Sequence, residues 1–97
     1  NPEIIEDLYD RLEKVAISWP RSIDLVEFGS AEGVVGEYFK KRLAVDHNVR
    51  LTLVDAVKEH LNNNINPETI KICEDVLLFK SKDTYDLAIA RSLLHYF

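Results

Sequence analysis

Apolar positions along this chain change their period several times, and each change marks an element. Ile4, Ile5, Leu8, Leu12 and Val15 recur at helical spacing behind Asn1-Pro2-Glu3, which supplies a cap-type residue, a proline at the first helical position and an acid in the first turn. The pattern predicts a helix over about 2–17, ended by Trp19-Pro20, because the residue before a proline is driven out of the helical region. Residues 23–28 (IDLVEF) read as a first strand, and from 33 to 44 Val34, Val35, Tyr38, Phe39 and Leu43 lie on one face of a second helix. Asp46-His47-Asn48 is turn chemistry, and Val49 to Val54 forms a second strand rich in branched side chains. Ala56 to about Asn63 suits a short helix, closed by Asn62-Asn63-Asn64 and a loop reaching Pro67. Thr69 to Cys73 predicts a third strand. After Glu74-Asp75 and the polar stretch Lys80 to Thr84, Tyr85 to Ala90 predicts a fourth, and Ser92 to Phe97 the beginning of another helix.

Strands alternating with helical segments imply an α/β fold of parallel βαβ units with right-handed crossovers. A chain of 97 residues holds one small domain. Its net charge of −5 argues against non-specific nucleic-acid binding, which needs Lys and Arg to neutralise phosphates. The richest basic cluster, Lys40-Lys41-Arg42, falls late in a predicted helix, where it complements the dipole as a solvated C-terminus. One cysteine, Cys73, forms no internal disulfide, so the chain reads as a reduced cytoplasmic protein, and its place in an apolar strand predicts a buried core thiol. No apolar run approaches the roughly 18 residues that span a bilayer. The absence of methionine, even at position 1, suggests a piece of a longer chain.

The chemistry concentrates between Asp24 and Gly36, DLVEFGSAEGVVG, where a strand ends in an acid and gives way to a glycine-bearing turn and a helix. Ligands of open α/β sheets bind at such strand ends, beside helix N-termini. Acids recur there: Glu27 at the end of strand one, Asp55 at the end of strand two and Asp75 just beyond strand three. Asp55 falls 22 residues after Gly33, close to the spacing at which an acid meets ribose hydroxyls. A carboxylate suits that task because it accepts from both hydroxyls at once. Two glycine patterns compete for the turn. The dinucleotide pattern G-x-G-x-x-G falls on Gly29, Ala31 and Val34 and keeps one glycine, whereas an acid followed by x-G-x-G-x-G falls on Glu27, Gly29, Ala31 and Gly33 and lacks only the middle one. The second fits better.

On these residues the sequence resembles the class I S-adenosylmethionine-dependent methyltransferases, from Leu25 to Phe97. LVEFGSAEG resembles the glycine-rich first motif, LTLVDAV the second-strand segment with its ribose-binding acid, KICEDVLLF the third-strand motif, and YDLAIARSLLHYF the fourth. The resemblance implies a Rossmann-like three-layer sandwich, here a partial parallel sheet of about four strands in the order 3-2-1-4. It implies S-adenosylmethionine as cofactor and methyl transfer to an acceptor, such as a small molecule. Carried over by position, Glu27 would hold the ligand's amino-acid end, Gly29, Ala31 and Gly33 would form the turn that the ligand approaches, Asp55 with Ala56 would meet the ribose, Asp75 with Val76 the adenine, and Arg91 would lie beside the methionine portion.

His95, which the resemblance sets at the start of a helix after strand four, is the candidate for acid–base work, against a plain packing role. His47 and His60 read as surface residues without metal partners, and Trp19 as packing at a helix–strand junction rather than a cover for the cofactor. Four strands leave strand four at an open edge, which invites self-association or a partner. A non-catalytic module that keeps the fold for binding or assembly, and a nicotinamide dinucleotide domain, are the rival readings.

Overall fold

The structure, a computed structural model, describes residues 2–16, 18–76, 78–79, 85–90 and 93–96. Its elements are α1 (Pro2–Ala16), β1 (Ser22–Phe28), α2 (Val34–Leu43), β2 (Asn48–Asp55), α3 (Lys58–Asn62), β3 (Ile70–Cys73), β4 (Leu87–Ala90) and β5 (Leu93–Tyr96). The described strands form one sheet in the order β3-β2-β1-β4-β5. The first four are parallel, with Leu25 opposite both Leu51 and Leu87 and Val54 opposite Ile72, as the alternation of strands and helices predicts.

The segment after β4 departs from expectation. Instead of opening a helix, Leu93–Tyr96 pairs antiparallel with β4, Leu93 opposite Ala90 and Tyr96 opposite Leu87. A four-residue apolar run carries no period that separates strand from helix, and here pairing with the outer edge of β4 decides it by joining backbone groups that would otherwise lack partners. The strand-four edge is thus covered from within the chain, which removes the reason for expecting self-association there.

The three described helices pack on one face of the sheet. Tyr9, Leu12 and Ala16 of α1, Phe39 and Leu43 of α2 and Leu61 of α3 close over Leu25, Leu51, Leu53, Leu87 and Ile89. In α1 the buried stripe runs through Leu8, Tyr9, Leu12 and Ala16, while Ile4 and Val15, which the spacing assigned to it, are exposed. On the other face Val26, Val54 and Ala88 pack with Phe28, Ile72, Phe79 and Tyr85. Cys73 corrects another expectation. It ends the short edge strand β3 and is exposed, because among the described residues no further strand lies beside it to bury it.

Trp19 packs against the core at the amino ends of the strands, as expected, where it lines a cavity of about 890 Å³ with Tyr9, Arg21, Leu43 and His47. His47 is half-buried there, its Nδ1 2.9 Å from the Pro20 carbonyl oxygen. No helix among the described residues is long and apolar enough to cross a membrane.

Candidate functional site

Parallel pairing brings the carboxyl ends of β1, β2 and β3 to one edge, and the turn between β1 and α2 rises from it. Three alternate residues of that turn have left-handed backbones: Gly29 (φ 63°), Ala31 (φ 51°) and Gly33 (φ 83°). The turn is anchored to β2, since the N–H groups of Gly29 and Ser30 both donate to the Val54 carbonyl, at 2.8 and 3.3 Å. Ala31 holds a conformation that disfavours a Cβ by about 1–2 kcal/mol. Its N–H donates to Asp55 Oδ2 at 2.7 Å, a charge-assisted bond that ties the strained residue to the end of β2.

Gly33 caps α2 and brings no side-chain acceptor to its first turn, and a Cβ there would also run into the Leu53 side chain. Gly36, one turn into the helix, is a second close approach. A Cβ at this position would lie 2.8 Å from Glu27 Oε1 and 3.0 Å from Leu51 Cδ1. The absent side chain lets the Gly36 N–H donate to Glu27 Oε1 at 2.9 Å.

The acids behave differently although they share one edge. Glu27 is 4% exposed, and burial pushes its carboxyl up to about 7 against the lowering effect of the Gly36 bond, with Glu37 and Asp55 adding like charge. Asp55 is 7% exposed, and burial also works to raise it. Two backbone bonds, from Val57 to Oδ1 at 2.8 Å and from Ala31 to Oδ2, with help from His60, hold it below the usual range. His60 Nδ1 stands 3.7 Å from Asp55 Oδ1, a neighbour that sequence reading placed on the surface without a role. Asp75, Val76 and Ala56 are exposed at the same edge, where the Glu74 N–H donates to the Asp55 carbonyl at 3.0 Å.

A polar cluster that the sequence did not announce flanks the turn. The Glu37 carboxylate accepts from Asn64 Nδ2 (2.7 Å), Thr69 Oγ1 (2.7 Å) and Asn66 Nδ2 (3.0 Å). Burial pushes it upward, and these three donors with nearby Lys40 prevail and hold it low. The partners lie 27 to 32 residues away along the chain, beyond the reach of any local pattern.

The structure thus gathers Glu27, Gly29, Ala31, Gly33, Asp55, Ala56, Asp75 and Val76 at one edge. Arg91 lies outside the described residues. His95 is not at a helix start. It is the third residue of β5, in register with Ala88 and two positions short of the carboxyl end of β4. Among the described residues no group of three or more His, Cys, Asp and Glu could hold a metal ion.

No family model matches this chain, and no curated protein matches it by sequence. Solved structures do match. The plantazolicin methyltransferase BpumL, in complex with S-adenosylhomocysteine (SAH), aligns with a TM-score of 0.64 at 22% identity, over 91% of this chain and 40% of its own. The N-methyltransferase NodS from Bradyrhizobium japonicum WM9 aligns with a TM-score of 0.59 at 21% identity, over 91% of this chain and 49% of its own. The chain therefore spans less than half the length of either structure. The fold is the Rossmann-like α/β fold of these methyltransferases.

Proposed function

We propose that the edge from Glu27 to Gly33 binds S-adenosylmethionine and that the protein transfers its methyl group to an oxygen, nitrogen or carbon nucleophile. One observation carries the reading. The left-handed residues are 29, 31 and 33, the three positions of the acid-x-G-x-G-x-G spacing, whereas Val34, the third glycine position of a dinucleotide turn, is already helical. Position 31 thus has the backbone of the expected glycine although it carries a methyl group. BpumL and NodS, which share the fold, were both solved with SAH.

The donor set fits such a ligand. Each Asp55 oxygen takes one backbone N–H and keeps a lone pair for a ribose hydroxyl. Glu27 sets a carboxylate behind the turn for a ligand ammonium, and the first turn of α2 suits a carboxylate. Asp75 and Val76 flank the place for the adenine. The cofactor's sulfonium supplies a methyl group already activated for displacement, so the chain's own part is to bind and orient. Calorimetry of the full-length protein with SAH tests the reading: saturable binding is expected, and none at about 1 mM overturns it. Binding with no methyl transfer to any acceptor would support the non-catalytic module instead, and enhanced NADH fluorescence without SAH binding a dinucleotide domain.

A further inference from the structure

We propose that Asn64, held by Glu37, is a positioning residue for the cofactor turn, an inference that rests on the S-adenosylmethionine reading of that turn. Asn64 lies in the connection between α3 and β3, remote in sequence from the turn it meets. Its amide makes three bonds. Nδ2 donates to the Glu32 carbonyl at 3.0 Å and to Glu37 Oε2 at 2.7 Å, and Oδ1 accepts from the Asn66 N–H at 3.0 Å. Both amide hydrogens have acceptors and the oxygen has a donor, so only one orientation of the group satisfies all three.

Glu37 makes the arrangement rigid. Its carboxylate is also bound by Asn66 and Thr69, and its own N–H donates to the Gly33 carbonyl at 2.9 Å. The Glu32 and Gly33 carbonyls, consecutive in the turn, are therefore held from one side by Asn64 and Glu37. The Ala31 N–H is held from the other side by Asp55. A strained backbone persists where its surroundings over-determine it, and Ala31 at φ 51° is the strained residue between these two anchors. Asn64 is placed to act through the turn rather than on a ligand.

Asn64→Ala and the equal-sized Asn64→Asp, which cannot donate, test this in the full-length protein, with Thr69→Ala as the control that removes a bond to Glu37 and none to the turn. Both Asn64 variants are expected to weaken SAH binding about five- to tenfold and to speed amide exchange at Ala31 and Gly33, with Leu51 and Leu53 exchange unchanged. Thr69→Ala, which takes one of three donors from Glu37 but leaves Asn64 on the Glu32 carbonyl, is expected to move SAH affinity and turn exchange in the same direction by clearly less than either Asn64 variant. SAH affinity and turn exchange unmoved by Asn64→Ala overturn the inference alone. So does acceleration spread equally over turn and sheet, or a Thr69→Ala loss as large as that of Asn64→Ala. Failure of the unsubstituted protein to bind SAH overturns the cofactor reading and this inference with it.

Discussion

At the amino ends of the strands, Tyr9 meets the edges of Tyr38 and Phe39 with ring centroids 6.1 and 5.7 Å apart, and the Arg42 guanidinium sits 4.4 Å above the Tyr9 ring. At the carboxyl ends the contacts are polar and directional: backbone N–H groups on Glu27, Asp55 and carbonyls, around residues with positive φ. The first region is held by overlapping apolar and aromatic contacts, where losing one leaves the rest. The second is held by single bonds at single positions, some of them under strain. A ligand site of this kind depends on individual residues to an extent that its supporting core does not.

The largest break in this contrast is expected from Gly33→Val. A branched side chain at φ 83° adds backbone strain to a collision with Leu53, and together these should cost roughly 3–5 kcal/mol, read as a lowered urea midpoint with SAH binding lost. A midpoint within error of the parent would show that the turn yields freely.

Glu27→Gln should act in the opposite direction, and only above a certain pH. An acid with a raised carboxyl holds its proton more tightly folded than unfolded, so stability falls as pH rises from the usual 4.5 through about 7. Glutamine keeps an acceptor for the Gly36 N–H and escapes that fall. The variant is expected to match the parent near pH 4 and to exceed it by roughly 2–3 kcal/mol at pH 8, while SAH binds more weakly for want of the carboxylate. Parallel stability curves from pH 4 to 8 would count against a carboxyl titrating in that range.

Tyr9→Leu, at the other end of the sheet, should cost about 1–2 kcal/mol through lost ring contacts and leave SAH affinity unchanged. A matching loss of affinity would mean that the two ends are coupled through α2.

What the sequence made legible follows the same division. Strand and helix order as far as β4 and the edge that gathers Glu27 and Asp55 follow from periodicity and local motifs, and the 3-2-1-4 arrangement from the methyltransferase resemblance that those motifs carry. Contacts formed across long sequence separations did not show. Glu37 looks like an ordinary acid in a first helical turn, and Asn62-Asn63-Asn64 like a loop, until folding brings Asn64 to Glu37 and Glu32. Gly36 fell outside both glycine patterns because its role is set by the buried carboxylate of a neighbouring strand. Leu93–Tyr96 is too short for its period to choose between helix and strand, and Cys73 is apolar in context yet exposed because β3 is the last of the described strands on its side.

Ala31→Gly gives the smallest expected change and the sharpest test of how the turn is built. The methyl group at φ 51° opposes the backbone that the turn adopts, and the Asp55 bond to its N–H holds that backbone in place. Removing the methyl relieves about 1–2 kcal/mol of strain and adds unfolded-state freedom that takes part of it back. The net gain should be about 0.5–1 kcal/mol by chemical denaturation, with SAH binding equal or tighter. Combined with Asp55→Asn, which weakens the bond that holds the strained backbone, the same substitution should gain less than it does alone, because Ala31 can then relax part of its strain by itself. Equal gains in the two backgrounds would separate the strained residue from the carboxylate, and a loss of stability in either would mean that position 31 does not hold a left-handed backbone.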